Sequence, residues 1–190
     1  MIKAKTSDKK WITELLSSSF STNPSVNYII SGTGRRSERI TALMDYSFDL
    51  CMRFGEIWLS DDRRGCALLL FPQDKRTTIS SIWLDVKLIF RAVGLRGVNK
   101  VLRRERLISG KQSKEDMIYL WFIGITPLFQ NIGIGSTLLS EILNHAGSLG
   151  LPVYLETSVS ENLFWYKRYG FDVYDELDLG YRLYFLRKLK

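Results

Sequence analysis

One histidine, two cysteines and four prolines in 190 residues close off several classes of function before any pattern is read. A lone His145, three residues past Ile142 on the more polar side of an apolar-periodic segment, reads as a surface residue. It leaves no Ser-His-Asp or Cys-His arrangement available. Cys51 and Cys66 stand far apart with no histidine nearby, so neither a zinc spacing nor a disulfide framework is suggested, and no metal is expected. Buried free thiols in a reducing compartment fit better than a bridge. No long apolar run is present either. The most apolar stretch, residues 79–95, is interrupted by Asp85, Lys87 and Arg91, which a span of about 20 apolar residues does not carry lightly. The opening MIKAKTSDKK has charge but no apolar core behind it, which excludes a signal peptide on pattern. The expectation is a soluble, cytoplasmic protein without a membrane span. No repeat, low-complexity segment or linker interrupts the chain, so residues 1–190 read as a single domain.

What is present is enough apolar material for a core, 45% of residues, with 25% charged. The 27 Lys and Arg exceed the 20 Asp and Glu by seven, a balance that raises polyanions as partners. The excess is local. Residues 91–114 hold eight basic side chains against Glu105, and everything outside them sums to zero. Three readings stay open for this segment: a solvated helix face whose apolar side (Val93, Val98, Val101, Leu102) packs inward, steering of an anionic ligand, or contact with an acidic surface. Nucleic acid is disfavoured, because no aromatic follows Phe90 in the segment to stack bases.

Periodicity orders the elements. A short edge strand at residues 2–5 precedes a helix through Trp11, Ile12, Leu15 and Leu16, which Asn23-Pro24-Ser25 breaks. A helix over 37–54 aligns Ile40, Leu43, Met44, Ser47, Phe48 and Cys51, and Gly55 ends it. Strands at 56–60 and 66–71 flank a polar turn as an antiparallel hairpin. Residues 79–108 are helical but divided by Gly94 and Gly97. The run 117–125, nearly all apolar, suits a strand covered on both faces. A helix from 134 to 146, a strand at 153–157, a short helix at 161–169 and strands at 171–174 and 181–186 complete the chain.

The densest motif is the loop Gln130-Asn131-Ile132-Gly133-Ile134-Gly135-Ser136, which runs from the buried strand straight into a helix. A helix start offers unpaired N–H groups and a positive dipole end, and glycines let a phosphate approach closely. Tight strand-to-helix packing is the alternative use for the two glycines. Neither a third Rossmann glycine nor a P-loop Gly-Lys-Ser/Thr is present.

Gln130-x-x-Gly133-x-Gly135, together with the downstream Asn162-x-x-Trp165-Tyr166-x-x-x-Gly170-Phe171, resembles the GCN5-related N-acetyltransferase (GNAT) superfamily. The resemblance is clear from about residue 119 onward. It is weaker over the first 75 residues and slight over 77–114, which reads as a basic helical insertion. It implies an α/β (α+β) fold: one domain with a central, mixed, mostly antiparallel twisted sheet, splayed parallel central strands, and helices on both faces. It also implies acetyl-CoA as cofactor, with Gln130, Asn131, Ile132, Gly133, Ile134, Gly135 and Ser136 holding the pyrophosphate through backbone amides. The edge at Ile123 and Ile125 would pair with the pantetheine arm, an N–H near Ile123 would polarise the thioester carbonyl, and Asn162 would bond the arm.

Within this resemblance Tyr166 is the general acid for the departing thiolate, or else a core tyrosine. A primary amine is mostly protonated at neutral pH and needs a base. Glu156 is the candidate, through water, unless it only binds substrate or caps a loop. A histidine often found before the central strand in similar proteins is replaced here by Met117-Ile118. The implied function is transfer of an acetyl group to the amine of a small molecule or peptide, by a monomer or homodimer. The alternative is a non-catalytic acyl-CoA sensor or a basic interaction module on the same fold.

Overall fold

The computed structural model describes residues 1–30 and 34–189. In chain order the elements are β1 (Ile2–Lys3), α1 (Lys9–Ser19), α2 (Pro24–Ile29), α3 (Arg36–Phe54), β2 (Gly55–Leu59), β3 (Gly65–Leu70), α4 (Ile79–Leu88), α5 (Val98–Ser109), β4 (Ile118–Ile125), α6 (Ile134–Leu149), β5 (Val153–Thr157), α7 (Glu161–Arg168), β6 (Asp172–Asp178) and β7 (Arg182–Lys188). The strands form one sheet in the order β1-β2-β3-β4-β5-β7-β6, antiparallel everywhere except at β4–β5.

Each face of the sheet carries its own core. On one face α1 and α3 bury Ile12, Leu16, Met44 and Phe48 against Ile57, Leu68 and Phe122. On the other, α6 and α7 bury Leu138, Leu139, Ile142 and Tyr166 against Leu69, Leu120, Leu155 and Phe171. The stripe expected on α3, from Ile40 through Cys51, is buried throughout. Farther along the first face, Ile108 of α5 packs on Leu183 and Phe185 of β7. Segment 77–114 therefore reaches from α3, where Leu84 and Leu88 of α4 pack, across to the β5–β7 half of the sheet.

Three local readings change. Asn23-Pro24 starts a helix as well as breaking one: the Asn23 side chain accepts from the Val26 N–H at 3.1 Å, and Pro24 occupies the first turn of α2. Gly55 is extended, not a left-handed cap; a Cβ there would lie 2.0 Å from the Leu69 carbonyl oxygen, so the glycine serves a close strand approach. Leu102, expected to pack inward, is 57% exposed.

Candidate active site

The parallel β4–β5 pair is short. Its register runs only through Ile118↔Val153 and Tyr119↔Tyr154, although β4 continues to Ile125 and β5 to Thr157. Pairing with β3 supplies a reason. Leu69 faces Leu120 while Leu68 faces Phe122, leaving Trp121 as an extra residue in β4. Such a bulge bends its strand and raises its twist, and it lies next to the point at which the β4–β5 register ends. It also changes the alternation, so that Trp121 and Phe122 both pack on the α1–α3 side and Ile123 packs on the α6 side.

Beyond the bulge, the Thr126 N–H donates to Arg64 O on the β3 side at 2.8 Å. By strand alternation, Ile123 and Ile125 then turn their backbone groups toward the gap left by β5. The two are not equivalent. The Ile125 carbonyl already accepts from Ser19 Oγ at 2.8 Å and from Gln130 Nε2 at 3.2 Å. Gln130 thus ties the loop back to the end of β4.

At the mouth of this gap the chain turns into α6. Gln130, Asn131, Ile132 and Gly133 are exposed, and Ile134, Gly135 and Ser136 are half-buried in the first turn. Asn131 and Gly133 both take left-handed backbone angles, φ 64° and 95°, which accounts for glycine at 133. No side chain caps this helix end, and its first turn holds no acid, so the N–H groups ahead of Thr137, which bonds Gly133 O, are open to a ligand. A Cβ at Gly135 would make only ordinary contacts, the nearest 3.5 Å from Ile125, and one at Gly133 would meet nothing. Tight internal packing therefore does not require either glycine, whereas a cradle for an anion uses both.

Helix α7 closes the other side. Trp165 Nε1 donates to Ser136 Oγ at 3.1 Å, joining the first turn of α6 to α7. Asn162 is exposed, and Tyr166, one turn later on the same face, is 6% exposed. The Tyr166 hydroxyl makes no hydrogen bond to any described residue. No fully buried side-chain N or O among those residues goes unpaired, so its oxygen touches open space. Burial pushes its phenol well above the ordinary tyrosine range, which keeps the proton on at neutral pH.

Glu156 lies on the opposite sheet face from Tyr166. It sits beside Phe185 of β7, under the region that α5 covers. Its Oε2 accepts from the Tyr119 hydroxyl and its Oε1 from Gln112 Nε2, both at 2.8 Å. Burial raises its carboxyl above the usual carboxylate range, opposed by those two hydrogen bonds and the nearby Arg104 charge. Arg104, itself only 7% exposed, donates to Tyr181 Oη at 3.1 Å and to Ser25 Oγ at 2.6 Å. The gap between β4 and β5 thus has a helix N-terminus and a protonated tyrosine on one face and a carboxylate network on the other. A surface groove beside α1, lined by Thr6, Lys9, Thr13 and Asp45, touches none of these residues.

Residues 47–171, from within α3 to the residue before β6, match the model of the Acetyltransferase (GNAT) family. The chain belongs to the GNAT acetyltransferase family. Members of this family typically use acetyl-CoA. The fold agrees with that of an acetyltransferase from Corynebacterium glutamicum described as histone acetyltransferase HPA2 and related, at 20% identity and TM-score 0.70 over 99% of this chain and 94% of that one. It is also similar to the C-terminal condensation domain of Ebony, solved in complex with beta-alanyl-dopamine (10%, 0.70, 98% and 96%). Arylalkylamine N-acetyltransferase 2 from Aedes aegypti has the same fold (15%, 0.62, 99% and 97%).

Several residues around this candidate site carry little signal in the sequence. Arg104 carries a visible signal: Gly97, Val101, Arg104 and Ile108 fall on one stripe of the 97–108 stretch, and a charge on an apolar stripe is rarely idle. Tyr119 and Gln112 carry none, since their role depends on which strand lies beside β4. His145 corrects a reading. It is partly buried, its Nε2 lies 2.7 Å from Glu56 Oε2, and its ring meets Trp58 edge-on at 5.3 Å. It fastens α6 to β2, away from the gap. Cys51 and Cys66 are both free and buried. Among the described residues no His, Cys, Asp or Glu cluster could hold a metal, and no helix is long and apolar enough to cross a membrane.

Proposed function

We propose that the chain transfers an acetyl group from acetyl-CoA directly to the amine of a small molecule or peptide, using the gap between β4 and β5. The observation that carries this reading is the early end of the β4–β5 register with the uncapped start of α6 at its mouth. The residues fit the cofactor: the backbone N–H groups of residues 131–136 suit a pyrophosphate, that of Gln130 being bonded to Pro127 O at 3.3 Å, the backbone of Ile123 and the Ile125 N–H suit an amide-bearing arm lying along β4, and Asn162, exposed one turn before Tyr166 on α7, is the side chain assigned to that arm. When bound, acetyl-CoA supplies an acyl carbon activated as a thioester.

The chain's own groups then divide the proton work. Glu156 removes the proton that a primary ammonium carries at neutral pH, directly or through one water, and its raised affinity for protons suits that task. An N–H of Ile123 stabilises charge on the carbonyl oxygen as the C–N bond forms. Tyr166 gives its proton to the sulfur as the C–S bond breaks, and the second amine proton restores it. Placing acid and base on opposite faces of the sheet lets the acceptor enter from the α5 side while the cofactor occupies the α6–α7 side. The test is release of free thiol from acetyl-CoA across a panel of arylalkyl, aliphatic and peptide amines. Turnover with at least one amine is expected; cofactor binding without turnover over a broad panel favours a sensor instead.

A further inference from the structure

The inner side of α4 is firmly placed. Leu84 and Leu88 pack into the α1–α3 core, the Tyr46 hydroxyl donates to Asp85 Oδ1 at 2.7 Å, and the Arg39 guanidinium donates to the Ala92 carbonyl just beyond the helix at 3.2 Å. The outer side is apolar and bare. Ile79 is 90% exposed, Ile82 50%, Trp83 68% and Phe90, in the turn that continues the helix, 69%. Their spacing of i, i+3, i+4 and i+11 places them on one stripe, with Val86 between them. A stripe of this kind, held outward by a fixed inner face, marks an interaction surface.

Charge selects the occupant. Residues 75–114 hold eleven Lys and Arg against Asp85 and Glu105, while the rest of the chain is slightly acidic. A two-fold contact between copies would set this positive segment against itself. A nucleic acid would gain nothing from Ile79 and Ile82. Lys87 and Arg91 stand at the edge of the stripe where α4 meets α3, and Arg91 and Arg96 are exposed; aromatic and aliphatic side chains with cations beside them are what an anionic bilayer surface takes, the apolar face entering the headgroup boundary and the cations meeting the lipid phosphates. We propose that the outer face of α4 docks this acetyltransferase peripherally on an anionic membrane. The proposal is independent of how the acetyl transfer itself proceeds.

Co-sedimentation of the full chain with phosphatidylcholine vesicles, alone or with roughly 30% phosphatidylglycerol, tests it. Binding is expected to the anionic vesicles only, falling in about 0.5 M salt as the charges are screened. Trp83→Ser with Phe90→Ser, and separately Arg91→Glu with Arg96→Glu, alter exposed positions and should leave the melting temperature unchanged while weakening vesicle binding by about tenfold or more. Equal binding to neutral vesicles, absence of binding, or anionic-vesicle binding unchanged in both variants would overturn the proposal. So would a dimer, by light scattering, that the Trp83→Ser, Phe90→Ser change converts to monomer, since the stripe would then be covered by a second copy.

Discussion

Replacing Gly135 by glutamate separates what the loop does for the fold from what it does for a ligand. The Cβ position has room, with its nearest neighbour at 3.5 Å, and the backbone there is ordinary helix. Glutamate is a better helix former than glycine, and a negative charge in the first turn opposes no acid already present. Together these contribute roughly 0.5–1.5 kcal/mol to the free protein. For a domain of this size that corresponds to a rise of about 1–6 °C in Tm. The same negative charge, in the first turn of α6, opposes a pyrophosphate held by the N–H groups there. Wild-type protein with acetyl-CoA at about 100 times its Kd should gain roughly 2.7 kcal/mol, or about 5–11 °C, and the Gly135→Glu protein should gain nothing. Differential scanning fluorimetry with and without cofactor reads both effects. An acetyl-CoA shift as large in the variant as in the wild type would refute the placement of the anion at α6.

Further expectations follow from the same geometry. Tyr166→Phe removes a hydroxyl that no described residue bonds, so stability should hold while kcat falls about 100-fold and the Kd for acetyl-CoA stays near wild type; steady-state kinetics with isothermal titration checks both. Glu156 must be ionised to accept a proton and its carboxyl titrates above the usual range. The acid limb of kcat/KM should therefore lie above ordinary glutamate values, with activity rising as pH increases through it, and Glu156→Gln should abolish that limb along with most turnover. Arg104→Met strips charged hydrogen bonds from Ser25 and Tyr181; Glu105 is mostly exposed and contributes little, so urea unfolding should show a loss of about 1.5–3 kcal/mol. Burial holds the Cys51 and Cys66 thiols well above their usual range, so Ellman's reagent should find neither in the native protein and both after denaturation.

The parts of the fold set by periodic burial were readable from residues alone. The α3 stripe, the strand at residues 153–157 and the division of 79–108 at its glycines all follow from spacing. The loop before α6 was readable because Gly-spaced helix starts have a specific physical use. What stayed hidden depends on register. Nothing in the run 117–125 marks Trp121 as the extra residue, because both of its faces are apolar and the bulge exists only relative to β3. The turning of Ile123 and Ile125 toward the gap follows from that register, and what separates the two, the Ser19 and Gln130 hydrogen bonds to the Ile125 carbonyl, depends on tertiary contacts. The contribution of 77–114 was hidden for a related reason: Arg104 and Gln112 come near Glu156 only once α5 lies across β7. Of the three readings of the basic segment, none suffices alone, since Arg104 is buried in a network while Arg91 and Arg96 face solvent.

Residue-resolved amide hydrogen exchange, with and without acetyl-CoA, tests the central claim most directly. The account predicts slowed exchange at Ile123 and Ile125 on β4 and at Ile134, Gly135 and Ser136 at the start of α6, with β6 unchanged. Cofactor protection confined to other elements, with these five amides unaffected, would contradict it.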